Sequence, residues 1–458
     1  MKKSPYYVIF KQLLRWTILV FPAAVVTGST IALFLWLLNL AIHYRFTHQW
    51  LLFLLPVAGT AIYFIYSCLG KNSEKGNNLI IEEIRQSGEG IPKRMAPVIL
   101  VTTVMTHLFG GSAGREGTAV QIGGSIAATL GRWFRLNEAD TRLMLTAGIA
   151  AGFGAVFGTP LTGAIFALEV LAVGRIQYNA LFPALAASII ADITVAAWGI
   201  HHTAYHIDIV PHTSYFMSDW LPMDLLLILK VIVAAIAFGL CSFMFSGLVH
   251  EIKALFTKTV PVKWLVPFIG GLIIIGLTYL NGKQDYLSLG VDPQYPGAIT
   301  IPSAFHAAGA DTWSWLWKTV YTTTTLASGF KGGEVTPLFY IGATLGNTLS
   351  HLLNAPVSLF AALGFIAVFA GATNTPLACT FMGIELFGGE YALLFGIACF
   401  TAYFFSGHSG IYSAQTIAVP KFEGADDEKT LLQAQQKRGY LHTKFSKYTF
   451  GRKSIRSH

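Results

Sequence analysis

The chain has 458 residues, of which 53% are hydrophobic and only 12% are charged, whereas a soluble domain carries about a quarter charged residues. A soluble protein of this length cannot hide so much apolar surface, because single hydrophobic cores stop growing at roughly 250 to 300 residues. The composition therefore excludes an ordinary soluble protein and predicts one all-α, polytopic membrane domain, in which helices satisfy the backbone polar groups.

The apolar stretches follow one another from end to end of the chain. The first, from Trp16 to His43, has no charged residue and exceeds the roughly 20 residues that a spanning helix needs. Four further stretches are predicted as ordinary spans and three as marginal ones: 50–69, 178–199, 225–248 and 264–280, then 314–326, 357–370 and 391–405. Shorter pieces at 97–109, 118–130 and 337–352 are predicted to end inside protein or in water, because lipid cannot satisfy broken helix ends.

The net charge of +8 comes from basic residues beside the outermost spans, namely Lys2, Lys3, Lys11 and Arg15 and nine Lys or Arg in the tail 421–458. Positive residues next to spans are retained on the cytoplasmic side. This pattern predicts cytoplasmic termini in a multi-pass inner (plasma) membrane protein, and no nucleic-acid partner, because no basic fold with base-stacking aromatics follows.

The loop 200–222 has no Lys or Arg and is predicted to lie outside. Its histidines are His201, His202, His206 and His212. A metal site at His202 and His206 is an alternative to a solvated loop, but neither a cysteine nor an acidic cluster joins them. The four cysteines lie in or beside apolar stretches without a CxxC pair, so neither a metal site nor a cofactor is predicted.

A weak internal repeat relates the two halves. Residues 111–118 align with 329–336, which places Glu334 opposite Glu116. Further along, Thr159-Pro160-Leu161 precedes Glu169 as Thr375-Pro376-Leu377 precedes Glu385. Inverted repeats of broken helices are how many secondary transporters build a midplane site. The predicted organisation is a segment 1–15, a transport domain 16–420 with halves at roughly 16–200 and 225–420, and a basic tail 421–458.

The broken helices indicate the sign of the substrate. Glycine-rich turns that enter short helices leave unpaired N–H groups and a partial positive charge at the helix start, where anions bind. Three such elements are 88–92, 111–118 and 329–337. Glycines that only permit close helix packing are the alternative, but packing does not require glutamate. Glu116 and Glu334 in apolar surroundings are therefore predicted to be functional.

With these residues in view, the chain resembles the CLC family of chloride channels and anion/proton antiporters over about 7–420. Gly114-Arg115-Glu116-Gly117 is similar to the family's GREG signature, which implies that Glu116 is the gate and proton carrier. The resemblance implies anion contacts at a first loop, at the GREG signature, at a third loop that begins beside Glu334, and at a central tyrosine. These residues are Gly88, Glu89, Gly90, Ile91 and Pro92, then Gly114, Arg115 and Gly117, then Val335 and Thr336, then Tyr412. It also implies a homodimer in which each subunit holds its own pathway.

Three departures from the family pattern are informative. Val170 follows Glu169 where the family has a proton-relay glutamate, and 333–337 reads Gly-Glu-Val-Thr-Pro. Both are similar to the fluoride-transporting branch, which implies that Glu334 is a second coupling carboxylate. The third departure, Glu89, argues against the fluoride branch, because an ionised carboxylate in the first loop would repel anions. Glu89 is therefore expected either to be protonated or to turn its side chain away from the ion.

The sequence therefore predicts proton-coupled fluoride export, with a chloride channel or chloride/proton antiporter of the same family as the alternative. The tail is too short for the paired nucleotide-binding modules of some members, so no nucleotide control is expected. A membrane enzyme is disfavoured because 329–336 lacks the Gly-Lys-Ser/Thr ending of a phosphate loop.

Overall fold

A computed structural model of the protein describes residues 4–86, 88–208, 225–422 and 430–433. The described chain is helical almost throughout. Its α-helices are α1 Pro5–Thr47, α2 Leu55–Ile65, α3 Asn77–Arg85, α4 Met95–Leu108, α5 Glu116–Trp133, α6 Glu138–Phe157, α7 Pro160–Glu169, α8 Leu181–Ala197, α9 Leu225–Thr259, α10 Leu265–Asn281, α11 Ser314–Ala327, α12 Val335–Leu353, α13 Val357–Thr373, α14 Pro376–Phe387 and α15 Ala392–Phe405. Short 3₁₀ turns lie at Gln49–Leu54, Lys71–Lys75, Tyr178–Ala180 and Ser303–Phe305, and a π turn at Tyr66–Gly70.

Helices of two lengths make up the bundle. Among the described residues, four helical stretches are long and apolar enough to cross a membrane: Pro5–Thr47, Gln49–Gly70, Tyr178–Ala197 and Leu225–Thr259. Helix α10, predicted as an ordinary span, belongs with the shorter apolar helices. Helix α1 begins at Pro5, so the predicted boundary between the terminal segment 1–15 and the transport domain lies inside this helix. The predicted basic tail falls almost entirely outside the described residues.

The centre of the bundle is made of helices that are buried on every side. In α6 every residue from Met144 to Phe157 is buried, and α13 is buried from Ser358 to Thr373. Helix α6 was not predicted from the sequence, because its charged first turn and its many glycine and alanine residues weaken the hydrophobic pattern. Small residues allow the backbones to touch: a Cβ added at Gly123 would lie 2.1 Å from the carbonyl oxygen of Gly148.

A pair of reciprocal helix caps relates the two halves. The Glu385 carboxylate accepts hydrogen bonds from the backbone N–H groups of Leu161 at 2.9 Å and Thr162 at 2.8 Å, at the start of α7. Glu169 accepts from Leu377 at 3.1 Å and Ala378 at 2.8 Å, at the start of α14. Each carboxylate thus neutralises the other half's helix dipole. Strands β1 Ala172–Val173 and β2 Thr416–Ile417 pair in parallel. The reciprocal caps relate equivalent helices of the two halves, and the predicted inverted repeat is confirmed.

Replacing one cap should lower stability measurably. We expect Glu385→Gln to reduce the free energy of unfolding by about 1.5 to 3 kcal/mol, the usual worth of hydrogen bonds to a charged group. Thermal unfolding in detergent measures this. The exposed Glu390→Gln is the matched control, and equal melting temperatures for the two variants would contradict the capping role.

Candidate anion site

Glu116 is the first residue of α5, and its side chain is completely buried. Its carboxylate accepts hydrogen bonds from the backbone N–H of Thr336 at 3.0 Å, from the Thr336 hydroxyl at 2.6 Å and from the Arg115 N–H at 3.2 Å. Thr336 lies in the first turn of α12, where N–H groups are unpaired and the dipole is positive. The carboxylate therefore occupies the place where a helix start binds an anion.

Two glycine loops bring these helix starts together. Gly114 and Gly333 exchange backbone hydrogen bonds of 2.6 and 2.7 Å, as one isolated antiparallel bridge. A Cβ added at Gly117 would lie 2.9 Å from the Cα of Gly333, so larger residues cannot fit there. The structure thus assembles one cluster from the predicted residues Gly114, Arg115, Glu116, Gly117, Val335 and Thr336.

The bridge also corrects the predicted repeat register. Gly114 pairs with Gly333, and each glycine lies two residues before the first residue of its helix. The residue that corresponds to Glu116 is therefore Val335, and Glu334 corresponds to Arg115. The alignment was wrong by one residue because it matched glycine and glutamate letters, whereas close backbone contact determines the register.

Two separate cavities are lined by Arg115 of this cluster and by Glu334 next to it. One, of about 670 Å³, is lined by Arg115 together with His43, His201, His202 and Asp292. The other, of about 220 Å³, is lined by Glu334 together with Asn77, Lys331 and Tyr412. Glu116 itself is fully buried. Its neighbour Arg115 lines the first cavity, and its carboxylate contacts the start of α12.

Two histidines of the 200–222 loop, His201 and His202, line the first cavity. Burial, with the charge of nearby Arg115, lowers the pKa of His202 to about 4, so this imidazole is neutral at physiological pH. No group of three possible metal ligands occurs within the described residues, and His212 lies outside them.

Glu334 precedes the first residue of α12 and lines the second cavity. Lys331, a possible ion-pair partner, instead places its ammonium 4.1 Å from the centre of the Tyr66 ring. The described part of the chain has no ion pair between Lys331 and Glu334. Tyr412 in the same cavity is only 3% exposed and packs edge-on against Phe166.

The predicted first anion loop does not join the site. Glu89 is exposed and accepts a hydrogen bond from Asn72, while the N–H groups of Gly88 and Gly90 donate to Glu83. The carbonyls of Ile91 and Pro92 accept from Arg132 and Ser125. The structure therefore does not bring 88–92 to the Glu116 cluster: their polar groups are satisfied locally, and they line neither of the two cavities described above.

The loop 76–78, which was not predicted from the sequence, lines the second cavity instead. Gly76 has φ of +58° before α3, and Gly76 and Asn77 line the cavity with Glu334. The Asn77 amide nitrogen lies 3.1 Å from where a Cβ on Gly117 would be. Neighbouring Asn78 accepts the Ala414 N–H at 3.0 Å, next to the loop of Tyr412. A Gly-Asn-Asn turn before a short amphipathic helix was the available signal.

We expect Asn77→Ala to slow anion transport about tenfold, since a lost polar contact in a buried path is worth roughly 1 to 2 kcal/mol. The matched change Glu89→Gln should leave the rate within about twofold. Anion efflux from liposomes measures both. A larger effect for Glu89→Gln than for Asn77→Ala would reverse this assignment of the loop.

Glu169, which precedes the family's relay position at Val170, caps a helix. Both Glu169 oxygens accept helix-start N–H groups of α14, and Val170 beside it is apolar and 2% exposed. The described structure therefore places no second glutamate at this position, and Glu334 is the carboxylate that lines the second cavity together with Glu74.

These features define a class of protein: a polytopic membrane protein of inverted repeats whose broken helices meet at a buried carboxylate. The family model described as "Voltage gated chloride channel" matches residues 58–407. The chain is 47% identical over 410 residues to a "Chloride/fluoride channel protein" of Pseudomonas syringae pv. tomato, covering 89% of this chain and 87% of that protein.

Two solved structures extend the comparison. A CLC-type fluoride/proton antiporter is 34% identical, with a TM-score of 0.81 and coverage of 90% of this chain and 99% of that one. A slow cyanobacterial Cl-/H+ antiporter is 18% identical, with a TM-score of 0.71 over 93% and 98% of the two chains, a likeness that concerns the fold alone. The chain belongs to the voltage-gated chloride channel, or CLC, family.

Proposed function

We propose that this protein exports fluoride by exchanging it for protons at Glu116. The observation that carries the proposal is the position of the Glu116 carboxylate, which accepts the Thr336 N–H and hydroxyl at the start of α12. An incoming anion competes for the same donors. Displaced from them, the carboxylate loses its charge-assisted hydrogen bonds and takes up a proton. One anion therefore replaces one ionised carboxylate, which couples the two fluxes.

The choice of fluoride is supported by the donors and by the relatives. A hydroxyl and an N–H group from one residue suit a small, strongly hydrogen-bonding anion, because short charge-assisted bonds compensate for lost hydration. The solved fluoride/proton antiporter shares 34% of its residues with this chain, and the Pseudomonas relative's name includes fluoride and chloride. The two coupled ions are the only partners that this function requires besides the bilayer.

Flux measurements in liposomes test the proposal. With matched gradients of fluoride, chloride and nitrate, we expect fluoride to leave fastest and to drive protons uphill into the vesicles. Chloride-driven proton movement without a fluoride preference would identify a chloride/proton antiporter. Anion flux that never moves protons would identify a channel and would overturn the exchange mechanism.

We further propose that the protein is a homodimer in an inner (plasma) membrane, with both termini cytoplasmic and a complete pathway in each subunit. Glu116, Thr336, Glu334 and Asn77 all belong to one chain, so no partner residue is needed. Co-reconstituted active and Glu116→Gln subunits should transport in proportion to the active fraction. Silencing of an active subunit by its mutant partner would contradict independent pathways.

A further inference from the structure

A buried lysine lies near the gate and has no role in the exchange described above. Lys318 is in the middle of α11 and its side chain is fully buried. Its ammonium donates to the carbonyl oxygens of Tyr286 at 3.1 Å and Ser288 at 2.7 Å, and lies 5.2 Å from the centre of the Tyr340 ring. Two carbonyls and one ring face match the three N–H donors of an ammonium ion.

This cation has no paired carboxylate. Within the described residues no Asp or Glu forms an ion pair with Lys318. Asp285 acts on the ammonium only at a longer distance, and its carboxylate accepts a hydrogen bond from the Tyr295 hydroxyl. A charge without an ion-pair partner inside a membrane protein is costly, so its retention points to a functional role. In an anion transporter the missing negative charge is supplied by the pathway.

The face of α11 that carries Lys318 contacts the gate loop. One turn further along, the Thr322 hydroxyl lies 2.9 Å from the Ser112 hydroxyl, and the Thr325 hydroxyl accepts the Ser112 N–H at 3.2 Å. Ser112 lies two residues before Gly114, whose loop leads into Glu116. His107, buried at the end of α4, interacts electrostatically with both Lys318 and Arg115. Lys318 therefore lies on the face of α11 that packs against the gate loop.

We propose that Lys318 is a fixed positive charge that favours a negative charge at the gate, whether the ionised Glu116 or the anion that replaces it. The inference rests on the proposed anion exchange but not on which anion is exchanged. Its effect acts through the field rather than through contact. For two unit charges about 10 Å apart in a medium with an effective dielectric constant of about 20, Coulomb's law gives an effect of about tenfold on an affinity, and we expect a change of this order.

Three substitutions separate charge from structure. Lys318→Gln keeps a donor for the two carbonyls but removes the charge, Lys318→Met removes both, and Lys318→Arg keeps the charge. The concentration dependence of fluoride and chloride transport in liposomes gives an apparent KM and a maximal rate for each. We expect Gln and Met to raise the apparent KM about tenfold with the maximal rate within about threefold, and Arg to restore the KM.

The matched control is Lys421→Gln. Lys421 is a partly buried lysine that donates to backbone carbonyls, those of Tyr403 and Gly407 at the end of α15, and it makes none of the gate-loop contacts. Its substitution should leave the apparent KM near that of the unaltered protein. An equal change in both lysine variants would indicate a general effect of losing a buried charge.

The proposal is overturned if Lys318→Gln retains the unaltered KM, because the lysine would then only bridge two carbonyls. If the Gln variant does not fold, ¹⁵N NMR of the Lys318 side chain in the unaltered protein decides: an ammonium signal at neutral pH supports the proposal, and a neutral amine removes it. A protein that transports chloride rather than fluoride, with the same KM change, would contradict the proposed substrate and leave this inference in place.

Discussion

Glu116→Gln is expected to abolish proton movement while leaving the protein folded. The amide oxygen can still accept the Thr336 N–H and hydroxyl that bind the carboxylate at 3.0 and 2.6 Å, so the local structure is kept. The amide cannot bind and release a proton, however, and no charge can compete with the anion. We expect proton flux to fall below detection, a loss of more than about a hundredfold, as is typical when a proton-transfer group is removed.

Simultaneous recording of pH and fluoride in liposomes measures this effect. The control is Glu89→Gln, which neutralises an exposed carboxylate outside the site and should transport normally. Continued uphill proton movement by the Glu116→Gln protein would show that another group carries the proton.

Glu334→Gln is expected to slow fluoride-driven proton movement about tenfold or more. Glu334 lines the second cavity, together with Asn77 and Tyr412, and the apolar Val170 leaves no carboxylate at the relay position. A proton that enters from this cavity therefore needs Glu334 as its acceptor. Two carboxylates near one path cannot both be charged cheaply, so their protonation should be coupled to the passage of the anion.

The alternative is that Glu334 is a permanently ionised residue held by Lys331. The two hypotheses predict opposite orders for Glu334→Gln and Lys331→Ala. Because the Lys331 ammonium lies over the Tyr66 ring rather than on Glu334, we expect Lys331→Ala to keep coupled transport within about threefold. Proton and fluoride fluxes recorded together in both variants decide, and normal coupling in Glu334→Gln would remove this residue from the mechanism.

The predicted spans and the gate motif depended on local signals. Long runs without charge identify α1 and α9 because lipid tolerates few charged residues, and the glycines before Glu116 predict a helix start that can approach an anion. Helix α6 was missed for the converse reason. It is enclosed by protein, so it needs small residues for packing rather than an apolar face for lipid.

By itself the sequence determined that this is a helical membrane protein of two related halves, and it predicted Glu116 and Glu334 beside helix starts that can bind an anion. Only the tertiary structure decided which loops meet. Gly114 pairs with Gly333, loop 76–78 rather than 88–92 lines the cavity with Glu334, and helix α11, which carries Lys318, contacts Ser112. The physical reason is that residues hundreds of positions apart approach one another through backbone contact and burial, and a one-residue shift in register exchanges Glu334 for Val335 opposite Glu116.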